Sequence, residues 1–136
     1  KSDYPITVLR GHSICETVLS SEPVNYTGIK QPDVIVAIAQ EGVNRRKPLF
    51  SKLDQHTIIF AAEDVSLPET SATIFPMDFR SSRVTNANRA LASLAAVSSQ
   101  NSVITTEMLF SGLCSRFAGN LLREAETTVR TFLETL

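Results

Sequence analysis

The stretch PDVIVAIAQEGV, residues 32–43, decides the fold class of this chain of 136 residues. Its centre, residues 34–39, is an unbroken aliphatic run rich in β-branched side chains. Strands buried on both faces of a helix-covered parallel sheet have this continuous pattern, whereas strands with one wet face alternate. We therefore predict a strand at 34–39 that is buried on both faces.

Three other segments have strand patterns. Residues 57–61 and 72–76 are short apolar runs between polar loops, and residues 13–19 alternate small or polar side chains with branched apolar ones. Between the first two buried runs, residues 40–44 are predicted to form a loop that leads into a short helical piece ending near Leu53.

The last third of the chain predicts helices. Thr85 or Asn86 can cap the first of them, and Thr105 can cap the second. Glu107 lies in the first turn of the second helix, where the helix dipole favours an anion, and Gly119 marks its expected end.

Helical spacing also predicts which side chains share a face. In the first of these helices they are Ala87, Leu91, Leu94 and Ala95. In the final helix they are Leu122, Ala125, Val129, Phe132, Leu133 and Leu136.

Strands that alternate with helices indicate an α/β protein. We predict a three-layer α/β/α sandwich with a mostly parallel central sheet, formed as a single domain over residues 1–136.

Composition excludes several partners. The formal net charge of −1 argues against a nucleic-acid partner, which requires a basic stripe, and the only cationic cluster is Arg45-Arg46-Lys47. No signal peptide and no apolar run of about 18 residues is present, so we expect a cytoplasmic chain with no membrane partner.

The stretch RGHSICETVL, residues 10–19, resembles a reactive centre in composition only. Neighbouring side chains on a strand point to opposite faces, so we expect His12 to contact neither Ser13 nor, at an odd separation, Cys15. Cys15 is therefore predicted to lie in the core, and no catalytic triad is expected.

Metal and nucleotide motifs are missing from the sequence. His12 and His56 stand in no HxxxH or HExxH frame, and the five glycines form neither GxGxxG nor a P-loop. The two cysteines cannot hold an iron–sulfur cluster, which needs four thiolates. We expect no cofactor and no metal on this chain.

In α/β folds, ligands bind outside the carboxyl ends of the strands. The polar or small residues predicted to follow those ends are Gln40, Glu41, Gly42, Glu63, Asp64 and Asp78. For each residue singly, helix capping or turn solvation is the simpler interpretation.

The order of several short motifs resembles the gamma subunit, or domain III, of 2-oxoacid:ferredoxin oxidoreductases. These motifs are Arg10-Gly11-His12 before a strand, Ser20 followed by Pro23-Val24, Pro32-Asp33-Val34 opening the buried strand, and Asn88 followed by the small Ser93. The resemblance covers nearly the whole chain, including residues 109–117 and the final helix.

The resemblance implies membership of a complex that oxidatively decarboxylates a 2-oxoacid with coenzyme A and reduces ferredoxin. Such a complex uses thiamine diphosphate, Mg and iron–sulfur clusters, held chiefly by alpha, beta and delta-like subunits, while this chain helps to wall the site. The residues expected to face the partners or the cofactor site are Arg10, Gly11, His12, Ser13, Gln40, Glu41, Gly42 and Asn88.

One departure accompanies this resemblance. The family opens with a glycine-rich strand–loop–helix, and nothing here matches it; the sequence begins at Lys1. We therefore expect a fold that lacks its first glycine-rich βα unit.

A second hypothesis is a stand-alone module that binds a small ligand or nucleotide near Glu41, Glu63 and Asp78, at the strand ends.

Overall fold

The computed structural model describes residues 2–3, 13–25, 28–100 and 104–136. Its elements within these ranges are β1 (Ser2–Asp3), β2 (Ile14–Cys15), β3 (Val34–Ala37), α1 (Gln40–Arg45), α2 (Lys47–Phe50), β4 (Ile58–Ala62), β5 (Thr73–Met77), a 3₁₀ turn (Asn86–Asn88), α3 (Arg89–Gln100), α4 (Thr106–Arg116) and α5 (Gly119–Leu133).

The chain divides into two compact units. One contains Lys1–Ile59 and Asp64–Phe75, and the other contains Phe60–Glu63 and Pro76–Leu136. The first unit carries the first three strands with α1 and α2, and the second carries α3, α4 and α5.

Three strands form a sheet in the order β3-β4-β5. The Thr73 N–H donates to the Thr57 carbonyl at 3.0 Å, and the Glu63 N–H donates to the Met77 carbonyl at 3.1 Å. Because the bonded positions rise together along both strands, β4 and β5 run parallel. The predicted α/β fold with a parallel sheet is thereby confirmed.

Pro76 lies in β5, an edge strand of this sheet. Residues of a parallel strand turn their backbone groups alternately to either side, and Thr73 and Met77 bond to Thr57 and Glu63, the residues that flank β4. Pro76 therefore faces away from β4, so its missing N–H removes no bond of the ladder, as expected for proline in an edge strand.

The prediction that both faces of the first run are buried is wrong for β3. Ala37 is buried, but the side chain of Val36 on the opposite face is 40% exposed. The central strand β4 has the expected pattern instead: Ile59, Phe60, Ala61 and Ala62 are all buried.

The strand predicted at 13–19 is much shorter in the structure. β2 spans two residues and pairs with β1 in an antiparallel register, Ser2 with Cys15 and Asp3 with Ile14. Farther along, the Ser20 hydroxyl accepts a hydrogen bond from the Glu22 N–H at 3.0 Å, a local turn that competes with strand pairing. Cys15 is exposed, so the prediction of a core cysteine is also wrong.

The loop predicted at residues 40–44 is a helix, α1. Glu41 in its first turn and Arg45 in its last turn complement the helix dipole. The Gln40 side-chain amide also donates to the Asn44 side-chain oxygen, one turn away, at 3.1 Å. Val43 is the one buried residue of α1. These six residues therefore show no repeating apolar spacing from which a helix could be predicted.

The face predicted for α3 is partly wrong. Ala92, Ser93, Ala95 and Ala96 are fully buried, whereas Leu94 is 42% exposed; Ala87 lies in the preceding 3₁₀ turn and is exposed. α3 packs against both α4 and α5. Small side chains let the helices approach closely, so this helix buries its small residues and leaves the larger leucine outside.

The Thr105 cap is confirmed, because its hydroxyl accepts from the Met108 N–H at 3.2 Å. Gly119 does not end α4, which stops at Arg116. It is the first residue of α5 and has φ +60°, a left-handed conformation that glycine adopts without strain.

The apolar face predicted for the final helix is confirmed at three positions of α5, but Leu136 lies beyond the helix and is 45% exposed. Ala125, Val129 and Phe132 are buried, and the Phe132 ring lies 5.4 Å from that of Phe79, centroid to centroid. An aromatic pair in tilted contact stabilises the core beyond the area that it buries.

We expect Phe132→Ala to lower the free energy of unfolding by about 3–5 kcal/mol, because it leaves a cavity beside Phe79. Urea unfolding measures the change. Leu121→Ala, on the same helix but at a side chain 64% exposed, is the matched control and should stay within about 0.5 kcal/mol. Equal losses in the two variants would contradict this assignment of the core.

Candidate functional site

Gln40 joins the start of α1 to the loop that follows β4. Its amide nitrogen donates to the Ser66 carbonyl at 3.1 Å, and its amide oxygen accepts from the Ser66 N–H at 2.8 Å. Its side chain thus pairs with the backbone of one residue as a neighbouring strand would. The candidate residue Gln40 therefore joins α1 to the loop at Ser66 within the first unit, and we call this pair of bonds the clamp.

Glu41 and Gly42 follow Gln40 in α1. Glu41 is exposed, and a Cβ added at Gly42 would meet nothing within 4 Å. Both positions remain open to a partner, and neither contributes a hydrogen bond that shapes the clamp.

Asp78, directly after β5, begins a tight turn in the second unit. Its Oδ1 accepts from the Arg80 N–H at 2.9 Å and from the Ser81 N–H at 3.0 Å, as a helix N-cap does. The Ser81 hydroxyl and N–H, helped by the Arg80 N–H, hold the pKa of Asp78 below its usual range.

The same turn is closed at its other end by a Schellman pair. The Val84 N–H donates to the Phe79 carbonyl at 2.9 Å, and the Arg83 N–H donates to the Arg80 carbonyl at 3.0 Å. Arg83 has φ +54°, where glycine is the usual residue. A glycine at this place would have revealed the turn from the sequence, and its absence explains why the turn was missed.

The other residues at the strand ends are exposed. Glu63 and Asp64 follow β4, and the Glu63 backbone N–H bonds to the Met77 carbonyl. Their carboxylates therefore lie at the surface, in the positions predicted from the sequence.

Asn88 lies in the 3₁₀ turn before α3 and is exposed. Its side-chain amide donates to the Thr128 hydroxyl of α5 at 3.4 Å, which ties the start of α3 to α5. Ser13 is also exposed. Arg10, Gly11 and His12 lie outside the described residues.

In the ranges that the structure describes, no three His, Cys, Asp or Glu side chains form a group able to hold a metal ion. Among the same residues, no helix is long and apolar enough to cross a bilayer. The strand-end residues thus offer hydrogen-bonding groups and surface carboxylates.

We expect Gln40→Ala to expose the Ser66 amide to exchange and to lower the free energy of unfolding by about 1 kcal/mol, since both bonds to Ser66 are lost. Hydrogen exchange measured by NMR reports the first effect and urea unfolding the second. Glu41→Ala, at the exposed neighbouring position, is the control. A Ser66 amide that stays equally protected in both variants would rule out the clamp.

The Asp78 turn predicts a pH dependence. Because the folded-state pKa of Asp78 is lowered, its carboxylate adds stability above the unfolded-state pKa of about 4, and that stability is lost as the pH falls through the folded value. Asp78→Asn keeps an acceptor without the charge. The amount by which its melting temperature lies below that of the wild-type chain should therefore shrink as the pH falls from about 7 to about 3. A deficit that stays constant over this range would contradict the role of the charge.

The structure is similar to that of the keto/oxoacid ferredoxin oxidoreductase gamma subunit from Geobacter sulfurreducens PCA, with a TM-score of 0.61 and 13% sequence identity. The match covers 75% of this chain and 62% of that subunit, so the chain matches less than two thirds of the length of its structural relative. Neither a protein-family model nor a curated protein matches the sequence. The chain therefore has the fold of this gamma subunit, and the resemblance identified from its sequence motifs is confirmed at the level of the fold.

Proposed function

We propose that this chain is a gamma-type subunit of a 2-oxoacid:ferredoxin oxidoreductase complex. The observation that carries the proposal is the fold similarity to such a gamma subunit. The order of short motifs from Arg10 to Ser93 points to the same family. At 13% identity the similarity of the backbone fold is largely independent of these few motif residues. The two observations therefore support the proposal separately.

In the proposed complex, a 2-oxoacid is decarboxylated and transferred to coenzyme A, and the electrons reach ferredoxin. Thiamine diphosphate with Mg²⁺ and the iron–sulfur clusters supply this chemistry when bound to the other subunits. This chain contributes packing surfaces and helps to wall the site.

The donor chemistry of the chain supports this division of roles. Its two cysteines, Cys15 and Cys114, are both exposed, and an iron–sulfur cluster needs four thiolates. These residues do not fit a cluster, so no step of electron transfer is assigned to them.

The test is reconstitution. We expect the chain, co-expressed with the alpha, beta and delta-like subunits of such a complex, to elute with them as one stoichiometric species. That species should reduce viologen in a reaction that depends on both coenzyme A and a 2-oxoacid, and omitting the chain should abolish assembly or turnover.

A chain that elutes alone from this mixture would contradict the proposal. A thermal-shift measurement with nucleotides and acyl-CoA on that free chain then tests the stand-alone module, because a ligand that binds only the native state raises the melting temperature.

A further inference from the structure

We draw no further inference here: the strongest candidate, the surface patch where α4 ends and α5 begins, with the apolar side chains of Phe117 and Leu121 exposed, carries nothing because nothing in the structure shows what covers it.

Discussion

The pairing of three strands at Thr57 is the constraint on which the rest of the structure depends. Its hydroxyl donates to the Pro32 carbonyl at 2.8 Å, just before β3, and its own carbonyl accepts from Thr73 at the start of β5. The next residue, Ile58, donates its N–H to Asp33 at 2.9 Å. Thr57 is 1% exposed, and together these bonds set the register of all three strands.

That register determines what the carboxyl ends of the strands present. Gln40 satisfies the backbone of Ser66, and Asp78 satisfies two N–H groups of the turn behind it. These polar groups, which are the usual catalytic candidates in an α/β fold, serve here to shape the chain's own loops.

The buried central strand β4 and the Thr105 cap of α4 could be predicted from the sequence because each has a local cause. The aliphatic run around Ile59 is buried in the central strand, whereas the run around Val34 buries only Ala37. The Thr105 hydroxyl caps α4 by accepting from the Met108 N–H, three residues away. The motifs around Pro32 and Asn88 also indicated the gamma-subunit fold.

Other features depend on contacts that the sequence does not reveal. The partner of Gln40 lies 26 positions away, at a serine with no distinguishing neighbours. Leu94 is exposed because α3 packs closely against two helices, and small side chains fill that contact. Helical spacing alone predicts that Leu94 would be on the buried face. The turn at Arg83 lacks the glycine that normally marks it.

Pro76 hinders the pairing of a further strand at the β5 edge of the sheet. A strand that approached β5 from outside would find no N–H donor at Pro76, one of the two outward-facing positions of this strand, so pairing along this edge is weakened. The other edge strand among the described residues, β3, contains neither proline nor charge in Val34–Ala37. One imide nitrogen thus helps to protect the chain from open-ended edge-to-edge aggregation along β5.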